Sequence, residues 1–260
     1  MSILSFSETS FDADALAFLN AAGITDSTQM SAINTLVIGM KNYGIWTKMK
    51  AIYPFIGGTA SAHKWNLKDP RDLDAAYRLT FFGGVTHGSN GISFNGITGY
   101  ANTNLPGNIL TLNSTHISAN VVSNGGGTYT GVLIGTSVVS RLYLAPSFDG
   151  SNAYFQANNN TVSASIRSNS IGYWLLSRTS STNEIAYLNG SRYVNKTANS
   201  TALDIGNLYI GARNNSGGTI SNYLSVPLNF VSIGDGLTDV ESSNLYTLVQ
   251  TYQTTLGRQV

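Results

Sequence analysis

Apolar residues along this chain follow two different periods, and the change falls near residue 51. Between Asp12 and Ala22 they recur at helical spacing, with Ala15, Leu16 and Leu19 on one face and Gly23 placed to end the last turn. A second helix follows, for which Thr25 is the expected cap. Its Met30, Ile33, Leu36, Val37 and Met40 fall at i, i+3, i+4 and i+7, and Gly44 closes it. IWTKMK adds a further turn or two.

From Ala51 the pattern turns strand-like. AIYPF and YRLTFF are short extended runs, and beyond Gly83 apolar runs alternate with turn signals such as SNG, LPGN, NGGG, FDG, LNG and RNNSGG. HISANVVS, GVLIG, VVSRLYLAPSF, AYFQAN, YWLLSRT, EIAYLNG, NLYIGA and LNFVSIG all have strand length, at the spacing of a sandwich or jelly roll. No helical pattern separates successive strands, so the expectation is an antiparallel sheet rather than βαβ units. The chain turns helical again at its end. Thr238 with Glu241 three residues on is a capping-box signature, and Val240, Leu245, Leu248, Val249, Tyr252 and Leu256 form an apolar stripe that Gly257 stops.

The expected organisation is therefore a helical docking segment at 1–50 and a mostly β, antiparallel sandwich domain at 51–260, with a C-terminal helix. The helix of residues 30–40 carries the strongest apolar stripe in a segment too short to bury it alone, so it needs a partner. That partner is either the sandwich's own edge or another subunit, and the reading taken is a docking contact to a neighbour or to identical copies. Homo-oligomerisation is the expectation that follows.

Composition narrows the function classes. With 14 basic against 13 acidic residues, bulk charge favours neither nucleic acid nor an anionic membrane. The absence of cysteine excludes disulfides and thiolate metal sites. The N-terminal MSILSFSETSFDADALAF has acids where a cleaved signal would have lysines, and no apolar run reaches the roughly 20 residues that cross a bilayer. Six N-x-S/T triplets, at Asn113, Asn159, Asn189, Asn195, Asn199 and Asn214, are read as chance products of an Asn-, Ser- and Thr-rich chain, lying in loops.

EIAYLNGSRY, NLYIGAR and FVSIGDGLTDVESSNLYTLVQTY together resemble the C-terminal half of concanavalin A-like lectin/glucanase domains of the laminin-G type, over roughly residues 95–260. In addition, FDADALAFLNAAGITD through WTKMKAIYPFIGGTASAHKWNLKDPRDLDAAYRLTF is similar to a segment of tailed-bacteriophage structural proteins, and LYTLVQTYQTTLGRQV resembles their terminus. The resemblance implies a virion protein: a head fibre, tail fibre or decoration subunit, trimeric, with other virion proteins as partners. Its sandwich would face outward, toward host-surface carbohydrate. A soluble carbohydrate-binding lectin is the alternative.

The candidate chemistry is thin. Glucanases of this superfamily set paired carboxylates on one strand, one to attack and one to protonate the leaving group. Only Glu8, Glu184 and Glu241 are available, and Glu184 has Ala and Leu where partners belong. No catalytic residue is expected, and the protein is read as non-enzymatic. His63, His87 and His116 match no zinc spacing and are expected to hydrogen-bond locally. Loop donors for calcium reduce to Asp149 with Asn152 and Asp235 with Asp239, which turn formation explains equally well. No metal or cofactor is expected. Among the aromatics, Trp46 and Trp65 belong to the N-terminal segment and Trp174 to a buried strand. Tyr100, Tyr129, Tyr154 and Tyr223 lie near turns, where a sugar could stack.

Overall fold

The computed structural model describes residues 11–124, 131–148, 152–161, 164–166 and 169–259. Its helices are α1 (Ala13–Ala22), α2 (Ser27–Asn42), α3 (Ala60–His63) and α4 (Asp239–Thr255). The first strands are β1 (Met49–Tyr53), β2 (Thr80–Phe82), β3 (Val85–Gly88), β4 (Gly91–Phe94), β5 (Tyr100–Pro106), β6 (Thr115–Val121), β7 (Ile134–Ser137) and β8 (Leu142–Ala145). The rest are β9 (Asn152–Ala157), β10 (Ala164–Ile166), β11 (Gly172–Arg178), β12 (Asn183–Leu188), β13 (Ser191–Thr197), β14 (Asn207–Ile210), β15 (Arg213–Asn215), β16 (Ile220–Ser221) and β17 (Leu228–Gly234).

The strands form two sheets packed as a sandwich. Sheet 1 runs β13-β12-β11-β6-β17-β4-β3, with β1 sharing the far edge of β17; sheet 2 runs β10-β9-β8-β7-β14-β5-β2, with β15 and β16 appended. Pairing is antiparallel throughout except where β15 meets β7. This is the mostly β sandwich that the turn-punctuated apolar runs predict. The β12–β13 hairpin turns on Asn189 and Gly190, both left-handed, as an Asn-Gly pair requires. Thr238 and Glu241 form the expected capping box, and Gly23 ends α1 in the left-handed conformation. α2 is capped by Asp26, whose side chain accepts from the Gln29 amide, and not by Thr25.

Between the sheets lies one core, built on Ile117, Leu144, Phe155, Trp174, Leu176 and Val231. A second lies outside sheet 1. There Phe18, Leu19, Ile33, Leu36, Val37 and Met40 of α1 and α2 pack with Leu245, Val249 and Tyr252 of α4 onto Tyr173, Leu175, Tyr187 and Phe230 of the sheet. α2 and α4 touch closely at Gly39, where a Cβ would stand 2.3 Å from Leu248 Cδ2. A glycine is tolerated inside this helix because the contact requires one.

The expectation of a separate docking segment at 1–50 is corrected by this second core. The apolar stripe of α2 is covered from within the chain, by α4 and by sheet 1, so it leaves nothing that needs a neighbouring copy. Nor does the chain break at residue 51, because β1 begins at Met49 and pairs along β17. The sequence separates α2 from α4 by some two hundred positions, and periodicity alone cannot show that their stripes face each other. Leu16 and Val240, both assigned to apolar faces by spacing, are 42% and 69% exposed.

Leu36→Ala is expected to destabilise the whole fold by about 2–5 kcal/mol, because it opens a cavity in the second core. Urea denaturation followed by tryptophan fluorescence and by far-UV dichroism checks this. The two signals should shift together; a shift in the helical signal alone would mean that the helices fold as a separate unit.

Candidate functional site

The centre of sheet 1 is buried on both faces, by sheet 2 on one side and by the helices on the other, while its edge strands β13 and β3 reach solvent. Its central strands β6, β11 and β17 have no exposed position. Most polar groups on them are accordingly paired, the Tyr173 hydroxyl and Asn120 Oδ1 excepted. His116 engages the Asp235 carbonyl through Nδ1 at 2.6 Å and Ser232 Oγ through Nε2 at 3.1 Å, Ser118 meets Ser232 at 2.6 Å, and Asn120 donates to Asn229. No residue of sheet 2 belongs to the helix-covered core. The outer face of sheet 2 is therefore the broad sheet surface without a helical cover.

On that face the aromatic side chains of adjacent strands stack. Phe82 on β2 lies 4.9 Å from Tyr100 on β5, with ring planes 12° apart, and Tyr100 lies 4.8 Å from Tyr209 on β14 at 28°. These centroid distances match the spacing of neighbouring strands, so the rings form a ladder running across the sheet. Tyr223 leans on it, 6.4 Å from Tyr100. Since β2 is an edge strand, the outer ring face of Phe82 has no further strand beside it, and the residue is 42% exposed. Burial and the neighbouring phenols raise the Tyr100 hydroxyl above its ordinary value, so it stays a neutral hydrogen-bonding group at physiological pH. One open apolar ring face with phenol hydroxyls in line is what stacks and orients a sugar ring.

Of the four tyrosines singled out from sequence, Tyr100 and Tyr223 fall in this ladder. Tyr154 instead packs edge-on against Phe148 at 4.7 Å, beside Tyr143, and Tyr129 lies outside the described residues. Sequence reasoning missed Phe82 and Tyr209, both read as ordinary strand positions. The available signal was that YRLTFF, ITGYANT and NLYIGA each carry an aromatic beside a turn, but only the pairing register places them side by side. The tryptophans are structural. Trp174 is fully buried and donates to the Ser170 carbonyl, while Trp46 and Trp65 lie under the ammonium groups of Lys68 and Lys64.

Glu184 is 1% exposed and points between the sheets. Its Oε2 accepts from the Ala157 amide at 2.7 Å, from Asn159 at 2.5 Å and from Arg178, and its Oε1 is 3.2 Å from Lys196. Arg178, wholly buried, donates to the Ala157 carbonyl and to those of Ser181 and Ala198. The pair thus clamps β9 of sheet 2 onto β11 and β12 of sheet 1. Glu241 serves the α4 cap and an ion pair with Lys48; Glu8 lies outside the described residues.

His63 and His87, 24 residues apart, meet at 3.0 Å through their Nδ1 atoms, between the rings of Phe55 and Phe81. This is a tertiary contact, not the local one expected. His63 Nε2 is buried without a partner. Burial, with the His87 and Arg258 charges, pushes His63 from 6.5 to about 3, and burial lowers His87 as well. Among the described residues no three His, Asp or Glu side chains gather as a metal site. Asp239 is taken up by Arg192 and by the Tyr187 hydroxyl, apart from Asp235. Asp149 and the side chain of Asn152 lie outside the described residues. Of the N-x-S/T positions, Asn159 is buried, and Asn195 and Asn214 sit within strands rather than loops. A separate polar cleft of about 200 Å³ opens where Arg192 and Asp239 flank the start of α4, but it carries no exposed aromatic face.

Neither a protein-family model nor a curated protein sequence matches the chain. Solved structures match its fold. Domain 4 of AbnA, an extracellular GH43 arabinanase from Geobacillus stearothermophilus in complex with arabinotriose, aligns with TM-score 0.52 and 15% identity, over 76% of this chain and 98% of that one. A Trypanosoma rangeli sialidase mutant displaying trans-sialidase activity aligns at 0.54 and 14%, over 85% of this chain but 39% of the sialidase. The botulinum neurotoxin serotype D binding domain aligns at 0.54 and 12%, over 78% of this chain and 52% of the toxin domain. The fold is shared. At these identities the comparison shows the fold alone.

Glu184→Ala is expected to cost about 3–5 kcal/mol, because it leaves a buried guanidinium without its carboxylate. Thermal melting should show it; an unchanged midpoint would mean that water reaches Arg178. The histidines set a pH response. Burial lowers His116 from 6.5 to about 4, against the opposing pull of the Asp235 carbonyl. The unfolded chain therefore binds more protons than the folded one between those values. Stability is full above pH 6.5 and falls as pH drops toward 4, by roughly 2–3 kcal/mol from His116, with His63 adding to the loss. Urea midpoints measured at about pH 7.5 and about pH 4.5 test this, and equal midpoints would refute it.

Proposed function

We propose that this protein is a non-catalytic, carbohydrate-binding β-sandwich, displayed on a bacteriophage particle as a fibre or decoration subunit. The observation that carries the carbohydrate reading is the Phe82–Tyr100–Tyr209 ladder, set on the sheet face that the helices leave open. A stacked aromatic row of this kind offers an amphipathic platform at little entropic cost, since each ring is already held by its neighbour. That similar folds include an arabinanase domain in complex with arabinotriose and a toxin binding domain accords with such a role. The virion placement rests on the resemblance of the N-terminal segment and the C-terminal helix to phage structural proteins. Absence of catalysis is supported by Glu184, which is consumed by a structural clamp and shielded from any substrate.

A glycan array probed with the wild-type protein and with Phe82→Ala tests the reading. Phe82 is partly exposed, so its truncation should leave the melting temperature within about 2 °C. At least one glycan is expected to bind and to lose about tenfold or more in affinity in the variant, the worth of one stacked ring. Binding that ignores Phe82→Ala, or no binding at all, would sink the assignment. Mass spectrometry of purified particles decides the virion placement, and reducing-end release from the bound glycan decides catalysis.

A further inference from the structure

Charges are scarce in this protein, 27 acids and bases in 260 residues, and most of its cations are paired. Among the described arginines, Arg71, Arg78, Arg178 and Arg192 each sit on a carboxylate, and Arg258 is buried among backbone carbonyls. Arg141 and Arg213 differ. Neither has a carboxylate within ion-pair distance among the described residues, and the buried Nε of Arg213 has no hydrogen-bond acceptor.

Both belong to the face that carries the ladder. The Arg213 guanidinium lies over the ring of Tyr143, 5.7 Å from its centroid. Tyr143 stands opposite Gly135 on β7, and Gly135 in turn stands opposite Tyr209, the last rung. Three residues in one cross-strand row share a face, so the cation is two strands beyond the ladder, roughly 10 Å. Arg141 precedes Leu142, whose side chain enters the inter-sheet core. Alternation along the strand therefore turns Arg141 to the same side as Tyr143. Burial raises the Tyr143 hydroxyl overall, against the charges of both arginines and a hydrogen bond with Arg213, so the partner Arg213 has on this face is a neutral phenol and not an acid. Among the described residues the acid near this end of the sheet, Asp204, is fully buried and accepts from Thr136, Gly206 and the amides of residues 138–140, so it offers the arginines nothing.

An aromatic ladder with, two strands beyond it, guanidinium groups that have no carboxylate partner among the described residues is complementary to a chain with apolar ring faces and an acid. We propose that the ligand of this face is an anionic glycan lying across the strands, its sugar rings on the Phe82–Tyr100–Tyr209 ladder and its carboxylate or sulfate on Arg213, with Arg141 alongside. The inference deepens the carbohydrate reading of the same face and rests on it. Guanidinium is suited to the task, because its fork meets a carboxylate or sulfate with two parallel hydrogen bonds.

Two matched pairs of probes test it on the full-length protein by isothermal titration: 3′-sialyllactose against lactose, and heparin against its fully desulfated, N-acetylated form. The acidic member of at least one pair is expected to bind about tenfold or more tighter than its neutral partner, the effect of one charge-assisted contact. Arg213→Gln should bring it down to the neutral level without changing the melting temperature, and raising salt from about 0.05 to about 0.5 M should weaken the acidic member alone. Phe82→Ala should weaken both members. Equal binding of acidic and neutral members, with Arg213→Gln silent and Phe82→Ala damaging, would overturn the anionic inference and leave the carbohydrate face standing. Loss on Arg213→Gln with Phe82→Ala silent would place an anion site away from the ladder and overturn the ladder reading. Absence of binding to all four probes would overturn both.

Discussion

A sheet whose central strands have no solvent face governs this molecule. β6, β11 and β17 are buried at every position, so each polar group they carry must find a partner inside the protein or cost it stability. Most find one: a histidine on a backbone carbonyl, serine on serine, asparagine on asparagine, arginine on glutamate, while Asn120 Oδ1 and the Tyr173 hydroxyl are buried without a partner. These bonds fix the register of the central strands more tightly than apolar packing could, because a one-residue slip would strand every one of them at once. The helices are what create the constraint. Without α1, α2 and α4, half of these groups would face water and need no partner.

The same arrangement decides where a ligand can bind. The helical layer occupies one outer face of the sandwich, and the inter-sheet space is filled to its end by Phe155, Trp174 and the Arg178–Glu184 clamp. The part of sheet 2 around β2, β5 and β14 is left to meet other molecules, and there Phe82, Tyr100 and Tyr209 stack on the outer side. Glu184 illustrates the division. In a glucanase a strand carboxylate faces the cleft, whereas this one faces inward and ties the two sheets together, so the residue that most invites a catalytic reading is a structural bolt.

Strand content, antiparallel pairing, the Asn-Gly hairpin and the capping box were legible because each is a local pattern with a local cause. What escaped was non-local. The stripe of α2 gave no hint that its partner lay in α4, and the boundary drawn at residue 51 followed a change of period that the fold does not treat as a division. His63 and His87 looked unrelated because α3 and β3 meet only in three dimensions. The ladder was half visible: Tyr100 and Tyr223 drew attention through their turns, while Phe82 and Tyr209 depend on which strands are neighbours. Likewise, that Arg213 has no acid beside it among the described residues is a property of the assembled charges, which no spacing in the chain reveals.

The position of β17 has a further consequence, for how the chain reaches this state. The strand joins β6 on one edge to β1 and β4 on the other, so the centre of sheet 1 is supplied by residues 228–234 and the helical layer is completed only by α4. Arg258 then fastens the carbonyls of Pro54, Phe55 and Ser89, joining residues some two hundred positions apart. During synthesis, β1 and the apolar side of α2 must wait for nearly two hundred further residues to emerge before their partners exist. Closure is thus late, long-range and cooperative, which favours slow folding and leaves the early helices and unpaired strand edges exposed to aggregation until the last segment arrives.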